Sequence, residues 1–255
     1  MKKRVTCTKI FEMKRHIPNC ITLCNLLCGV GSIIVSTTQL IDLEWAVFLI
    51  FCGAVFDFFD GFSARLLHTS SPIGKELDSL ADLITFGFAP AAITSAVILH
   101  ILGFESLIPD DGSQIDFLSY FLIFLPYIIV AFSAVRLAKF NIDERQTSSF
   151  IGLPTPANAI FFSSFVFMPD IDYIPVWILE VLVVVFSVLL VSEIPMFSLK
   201  FKNYSWADNK LRYSFLILSV ILLVILKLQA LTYIILCYIL FSVFDNFSKK
   251  KNTQE

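Results

Sequence analysis

Long stretches of apolar residues, separated by short polar segments, follow one another along almost the whole of this 255-residue chain. A helix that spans a bilayer needs about 20 predominantly apolar residues. Measured against that length, the pattern predicts about eight spanning helices, at residues 17–39, 43–66, 77–102, 116–139, 154–169, 174–197, 211–227 and 229–247. The predicted fold class is therefore all-α, a polytopic bundle of transmembrane helices.

Composition supports a single membrane domain. Hydrophobic residues make up 57% of the chain, which is more than a soluble domain of this length carries. We predict a basic cytoplasmic or interfacial segment at 1–16, a membrane domain at 17–248 and a cytoplasmic tail at 249–255. The first apolar run has spanning length and no small-residue cleavage pattern after it, so no cleavable signal peptide is expected. A short basic segment of this kind suits anionic lipid headgroups better than nucleic acid.

The distribution of charge predicts the orientation. Cytoplasmic loops of membrane proteins carry an excess of lysine and arginine. With the N-terminus inside, the predicted cytoplasmic segments hold nearly all the basic residues, namely Lys2, Lys3, Arg4, Lys9, Lys14, Arg15, Arg65, Lys75, Arg136, Lys139, Arg145, Lys200, Lys202, Lys210, Arg212 and Lys249–Lys251. Lys227 is the one basic residue that this orientation assigns to the external side. The predicted external turns carry acidic residues instead, namely Asp42, Glu44, Glu105, Asp110, Asp111, Asp116, Asp170 and Asp172. We expect a multi-pass protein of the plasma or inner membrane with both termini in the cytoplasm.

Three cysteines in the first apolar run, Cys20, Cys24 and Cys28, follow one another at helical spacing. Such a row could suggest metal ligands, but it contains no CxxC pair and has no histidine within the run. Free cysteine behaves as a small apolar residue. We therefore expect these residues to be buried on one helix face.

Four aspartates lie at the predicted cytoplasmic ends of the second and third helices. Asp57 and Asp60 are three residues apart and Asp78 and Asp82 are four apart, so each pair lies on one helix face. Four converging carboxylates repel one another unless cations neutralise them, and hard oxygen ligands select magnesium, calcium or manganese. A pair of divalent ions held in this way can clamp a pyrophosphate and stabilise displacement at phosphorus.

Two other interpretations of the aspartates compete with a metal site. A structural ion-pair network would need more cations than Arg65 and Lys75 provide. A cation transporter would be expected to show broken helices, internal repeats and acids distributed through the membrane. Here the acids cluster at one interface, and Glu180 and Glu193 are placed near helix ends, where they would snorkel or make a local polar contact.

The spacing of these residues also resembles a known family. Residues 57 to 82 fit D-x2-D-G-x2-A-R-x8-G-x3-D-x3-D at every fixed position, the pattern of the CDP-alcohol phosphotransferases. The resemblance implies that Asp57, Asp60 and Asp78 bind two divalent ions, Mg²⁺ or Mn²⁺, with Asp82 as the base and a further candidate ligand. The glycines and Ala64 leave room for a nucleotide beside the helix backbone, and the arginine offers a planar fork for phosphate. The predicted site for the CDP-linked lipid therefore comprises Asp57, Asp60, Gly61, Ala64, Arg65, Gly74 and Asp78.

Four further segments resemble one branch of that family, the membrane-embedded phosphatidylserine synthases of bacteria and archaea. They are I-P-N-x-x-T-x-x-N from Ile17, S-L-A-D-x-I-T-F-G-x-A-P from Ser79, R-L-A-K-F-N from Arg136 and F-x-G-L-P-T-P-A from Phe150. The branch implies a transfer from CDP-diacylglycerol to L-serine that yields phosphatidylserine and CMP. It also implies a homodimer in the lipid membrane.

Serine is a zwitterion, so its carboxylate needs a cation and its ammonium needs acceptors. The candidates for serine binding are Arg136, Lys139, Asn141 and Thr155, which lie near the predicted cytoplasmic ends of helices four and five. Arg136 and Lys139 could equally be ordinary flanking charges. Glycerol phosphate and inositol phosphate stay open as alternative acceptors, although a phosphate-bearing acceptor should need a denser cationic pocket.

Overall fold

The computed structural model of the protein describes residues 2–69, 71–104, 106–107, 114–143, 150–197, 205–206 and 209–252, with side chains from residue 16 to residue 246. These residues form α-helices joined by short turns, which confirms the predicted all-α class. The helices are α1 (Lys2–Thr38), α2 (Glu44–Leu66), α3 (Pro72–Asp82), α4 (Ala89–Ile101), α5 (Phe117–Phe124), α6 (Ile128–Ile142), α7 (Thr155–Ser163), α8 (Val176–Val191), α9 (Lys210–Leu226) and α10 (Ala230–Asn252). The charges predicted to orient the chain at Glu105, Asp110, Asp111, Arg145, Lys200 and Lys202 lie outside the described residues.

Five helical stretches are long and apolar enough to cross a membrane: His16–Thr38, Glu44–Leu66, Pro72–Ile101, Phe117–Ile142 and Lys210–Asn246. The last of these contains α9 and α10, which pack against each other on either side of a turn at Lys227, where φ is 51°. Two further apolar helical stretches, Thr155–Phe167 and Val176–Val191, are shorter than a bilayer requires. Each of the eight predicted segments is thus helical, although two of them fall short of spanning length.

The predicted sixth helix, 174–197, is wrong at its carboxyl end. Helix α8 stops at Val191, and Pro195–Met196 instead forms a short antiparallel strand, β2, against β1 (Phe150–Ile151). Proline lacks the backbone N–H that a helix needs and disfavours helical geometry in the residue before it. Pro195 therefore directs this segment into the strand pair.

The first three helices bring the acidic motif together. Helix α1 packs along α2 and also against α3, so the two aspartate-bearing helices share one neighbour. Ser71 caps α3 by accepting a hydrogen bond from the Gly74 N–H at 2.9 Å, and Pro72 occupies the first helical position. A π-helical turn, Leu83–Phe88, begins directly after Asp82 and links α3 to α4. Such turns are frequent at functional sites.

An aromatic cluster holds the second half of the bundle in place. The rings of Phe161 on α7 and Phe186 on α8 stack with centroids 3.9 Å apart, and Phe162 and Phe165 meet them edge-on. All four side chains are buried. This packing holds α7 against α8, which in turn packs against α6.

Candidate active site

Three of the four aspartates come together between α2 and α3. One carboxylate oxygen from each of Asp57, Asp60 and Asp78 lies within 4.8 Å of the other two. Asp60 is buried, the other two are half-buried, and one oxygen of Asp78 has no hydrogen-bond partner in the part of the chain that the structure describes. Three oxygen donors converging in a partly desolvated place suit a hard divalent cation. The residues present therefore fit the metal that the sequence motif predicts.

Asp82 lies outside that group of three and has a different environment. It is half-buried at the end of α3, and its Oδ1 accepts a hydrogen bond from Asn25 Nδ2 at 3.2 Å. It remains close enough to Asp57 and Asp78 to interact with them electrostatically. This arrangement suits the predicted role as a base better than the predicted role as a further metal ligand.

Helix α1 makes two contacts with the aspartates that the sequence analysis did not assign. Thr22 Oγ1 lies 2.6 Å from Asp60 Oδ2, and Asn25 holds Asp82 as described. Both residues belong to the I-P-N-x-x-T-x-x-N segment. Their spacing of three residues puts them on one helix face, and this spacing was the feature of the sequence that could have indicated a shared role. The sequence does not show that this face contacts the aspartates, because that contact depends on how α1 packs.

A cavity of about 260 Å³ opens beside the aspartates, between α1, α2 and α3. It is lined by Pro18, Asn19, Thr22, Asp60, Gly61, Ala64, Thr69, Ser71, Gly74, Lys75 and Asp78. A Cβ added at Gly61 would meet nothing within 4 Å, so the backbone there is open to a ligand. At Gly74 the added atom would lie 3.0 Å from the Ser71 hydroxyl, so this glycine also accommodates the cap of α3.

The two cations near the motif contact main-chain oxygens instead of the aspartates. Arg65 is exposed and its Nε donates to the Gly61 carbonyl at 3.0 Å. Lys75 Nζ donates to the carbonyl of Asn141 at 2.6 Å. Among the described residues, neither side chain forms an ion pair with the four aspartates. An ion-pair network therefore does not account for the acidic cluster, and lipid binding by Arg65 stays a prediction.

The candidate acceptor residues separate into two groups. Arg136 is buried, its Nη1 lies 3.4 Å from Thr155 Oγ1, and its guanidinium lies 5.2 Å from the Phe140 ring centroid. Asn141 instead joins α6 to α3, because its Nδ2 donates to Ser79 Oγ at 2.8 Å. Serine binding by Asn141 stays a prediction, and the contact that the structure shows for its side chain is the one that links α6 to α3.

A second cavity, of about 340 Å³, lies at the carboxyl ends of α6 and α8. Its lining residues are Arg136, Lys139, Ile142, Asp143, Ile151, Leu190, Val191, Ser192 and Glu193. Lys139 Nζ lies 3.4 Å from the Val191 carbonyl, which holds the ammonium against α8. Two cations and two carboxylates thus line one cavity.

Two of the remaining expectations are wrong. Cys20 and Cys24 are exposed on the surface of the bundle, because the face of α1 that is buried carries Thr22 and Asn25 instead. Glu180 does not snorkel: it is buried, and neither of its carboxylate oxygens has a hydrogen-bond partner among the described residues. Glu193 is exposed and follows the end of α8.

Comparison with known proteins shows that this chain is similar to one family of enzymes over most of its length. The model of the family described as CDP-alcohol phosphatidyltransferase matches residues 15–191, which include both cavities almost entirely. The chain is 38% identical over 141 residues to the CDP-diacylglycerol–serine O-phosphatidyltransferase of Bacillus subtilis (strain 168), a match that covers 55% of this chain and 70% of that protein. It is 29% identical over 233 residues to the protein of the same name from Helicobacter pylori (strain J99), with 89% of each chain covered. The corresponding Methanocaldococcus jannaschii protein is 29% identical over 178 residues, covering 70% of this chain and 72% of the relative.

Proposed function

Because the chain belongs to the CDP-alcohol phosphatidyltransferase family, we propose that it transfers the phosphatidyl group of CDP-diacylglycerol to L-serine, giving phosphatidylserine and CMP. The observation that carries the proposal is the convergence of Asp57, Asp60 and Asp78 beside a cavity, with Asp82 one turn further along α3. Two observations support serine as the acceptor: the names of the relatives, and the charged residues that line the cavity at Arg136.

Asp57, Asp60 and Asp78 would hold two divalent ions, Mg²⁺ or Mn²⁺. When bound, such ions neutralise a pyrophosphate and stabilise the charge that develops at phosphorus during an in-line displacement. The cavity between α1, α2 and α3 would receive the CDP moiety. Gly61 and Ala64 support this assignment, because their small side chains leave the backbone of α2 accessible from the cavity.

Asp82 would act as the general base. In the proposed step, the serine hydroxyl oxygen forms a bond to the β-phosphorus while the bond from that phosphorus to the bridging oxygen breaks. The hydroxyl proton passes to the Asp82 carboxylate, and CMP leaves with the bridging oxygen. A general base must lie within hydrogen-bond reach of the proton it removes. The transfer is direct, without a covalent lipid–enzyme intermediate.

Arg136 would bind the serine carboxylate. It is buried, and among the described residues its Nε has no hydrogen-bond partner and its guanidinium forms no ion pair. A buried cation without a direct ion-pair partner is costly, which favours an anionic ligand at this place. Arg136 also lies close enough to Asp82 for an electrostatic interaction, so an acceptor bound there would be near the base.

The ammonium group of serine would contact Asp143 and Glu193. These two residues line the same cavity as Arg136 and Lys139. A mixture of two cations and two carboxylates suits a zwitterion. A phosphate-bearing acceptor such as glycerol phosphate or inositol phosphate would be attracted by the cations but repelled by the carboxylates. The charges of this cavity therefore favour serine.

The membrane setting of the reaction is also a proposal. With the orientation predicted from the basic residues, the active site would lie at the cytoplasmic face of the plasma or inner membrane. A homodimer is expected from the family resemblance.

An acceptor panel tests the function. Purified protein in detergent is given CDP-diacylglycerol labelled in the lipid, a divalent cation, and either L-serine, glycerol 3-phosphate or inositol phosphate. We expect labelled phosphatidylserine and stoichiometric CMP with serine alone. Product with a phosphate-bearing acceptor instead would keep the reaction class and overturn the choice of acceptor. No CMP release with any acceptor would overturn the function.

A further inference from the structure

One face of α1 is polar where it meets the aspartates. Thr22, Asn25 and Gly29 are spaced so that they lie on the same face, and Thr22 and Asn25 are buried with 3% and 0% of their surface exposed. Buried polar side chains in an apolar helix need partners, and both find one in a carboxylate of the proposed active site.

Thr22 contacts Asp60, one of the three proposed metal ligands. Its Oγ1 lies 2.6 Å from Asp60 Oδ2 and 3.1 Å from the Pro18 carbonyl. The hydroxyl has a single hydrogen, and the shorter contact with an ionised acceptor is the stronger one. Donation to Oδ2 restricts the orientation of the Asp60 carboxylate, which lies beside Asp57 and Asp78.

Asn25 contacts Asp82, the proposed base. Its Nδ2 donates to Asp82 Oδ1 at 3.2 Å, and its main-chain carbonyl accepts from Thr85 Oγ1 at 3.0 Å. Thr85 lies in the π-helical turn that follows Asp82. The two contacts join α1 to the chain at Asp82 and just beyond it, and they leave Asp82 Oδ2 to receive a proton.

The packing around Asn25 leaves its carboxamide little freedom. A Cβ added at Gly53 would lie 2.9 Å from Asn25 Oδ1 and 2.5 Å from Thr85 Cγ2. One added at Gly29 would lie 2.5 Å from Thr85 Oγ1. Glycine at both places allows α1, α2 and the π-helical turn to approach closely enough for the Asn25–Asp82 contact to form.

We propose that Thr22 and Asn25 are positioning residues with separate tasks. Thr22 orients Asp60 for the divalent cations, and Asn25 orients Asp82 for the hydroxyl of the acceptor. The inference rests on the function proposed above, because it assigns the metal to one carboxylate and the base to the other. Changing a residue that orients a metal ligand typically costs 10- to 100-fold in metal affinity or activity.

Two nearly isosteric substitutions separate the tasks. Thr22→Val should raise the Mn²⁺ concentration needed for half-maximal activity by about 10- to 100-fold, with kcat largely recovered at saturating Mn²⁺. The dissociation constant for Mn²⁺, measured by electron paramagnetic resonance without substrates, should rise by a similar factor. Asn25→Leu should lower kcat by about tenfold or more, because general-base catalysis contributes about 10²–10⁴-fold and depends on the orientation of the base. Its KM values for both substrates and its Mn²⁺ dissociation constant should stay within about twofold of the unmodified protein.

Ser36→Ala is the matched control. Ser36 is buried further along α1, and among the described residues its hydroxyl bonds only to the Ser32 carbonyl of its own helix, so Mn²⁺ binding and kcat should both stay unchanged. If Asn25→Leu does not fold, Asn25→Ser removes the carboxamide without adding volume and carries the same expectation. Thr22→Ser keeps the hydroxyl and should restore Mn²⁺ affinity.

The inference is overturned if Thr22→Val and Asn25→Leu change the same parameter, or if their activity losses only follow a loss of folded protein. An unmodified protein that releases no CMP would instead overturn the proposed function. The two failures are therefore distinguishable.

Discussion

The Nη1 atom of Arg136 lies 3.4 Å from the hydroxyl oxygen of Thr155, which connects the carboxyl-terminal half of α6 to the first residue of α7. Both side chains are buried. The contact is long for a hydrogen bond, and Nε has no partner among the residues that the structure describes, so the guanidinium retains donors for an anionic ligand. This relationship defines where the carboxylate of the acceptor is expected to bind.

Arg136→Lys should therefore raise KM for serine much more than KM for CDP-diacylglycerol. A guanidinium offers two parallel donors to a carboxylate, which an ammonium does not. The loss of one charge-assisted hydrogen bond is worth about 1.5–3 kcal/mol, or on the order of tenfold or more in affinity. Steady-state kinetics with each substrate varied separately measure both constants. Equal changes would place Arg136 at the lipid phosphate or in a structural role.

Asp143→Asn and Glu193→Gln should weaken recognition of the serine ammonium. Both residues line the cavity that Arg136 enters. Each substitution should raise KM for serine by about tenfold, since it removes a charge-assisted contact. The use of 3-hydroxypropionate, which lacks the ammonium, should not change. Glu76→Gln, an exposed change on α3 outside the cavity, is the control. A parallel loss with both acceptors would show that the carboxylates support the cavity without binding the ammonium.

The sequence predicted the carboxylate pairs because helical periodicity alone decides which residues share a face. Asp57 and Asp60 are three residues apart on α2 and therefore share one face, and the structure brings that face beside Asp78 on α3. Periodicity does not say which helices are neighbours. The contacts of Thr22 and Asn25 depend on the packing of α1 against α2 and α3, and their roles were therefore missed.

The wrong predictions for two cysteines and one glutamate also arise because the sequence does not show how the helices pack. An apolar segment exposes one face to lipid and buries another, and hydrophobicity does not distinguish the two faces in a membrane. Cys20 and Cys24 were consequently assigned to the wrong face of α1. Burial of Glu180 inside the bundle depends on the neighbours of α8, which its own sequence does not specify.

Replacing Asp57, Asp60 or Asp78 with asparagine should reduce activity by more than about 100-fold while the protein still inserts and folds. Even the loss of a residue that only orients a metal ligand costs 10- to 100-fold. Activity assays, with thermal unfolding as the folding control, check each variant. Excess chelator should abolish turnover of the unmodified protein, and re-added Mg²⁺ or Mn²⁺ should restore it. Full turnover in chelator would exclude the metal-assisted reaction.

Gly29→Ala should destabilise the protein more than Gly31→Ala. The added methyl group at Gly29 would lie 2.8 Å from Thr85 Cα, a backbone atom that cannot easily move. At Gly31 the nearest atom is the flexible Leu49 Cδ1 at 3.2 Å. Overpacking typically costs about 1–3 kcal/mol. Thermal unfolding in detergent should therefore show a lower midpoint for Gly29→Ala, and equal midpoints would contradict the close approach of α1 to the π-helical turn.

Asp82→Asn should abolish turnover and leave binding of CDP-diacylglycerol largely intact. Asparagine keeps the shape of the side chain and can still contact Asn25 after the amide rotates, but it cannot accept the proton of the serine hydroxyl. Asp57→Asn is the comparison, because it removes a proposed metal ligand and should weaken binding of the nucleotide lipid. Equilibrium binding of CDP-diacylglycerol in the presence of Mn²⁺, together with single-turnover measurements, separates the two variants. If Asp82→Asn lost lipid binding as completely as Asp57→Asn, Asp82 would have to be reassigned to the metal site.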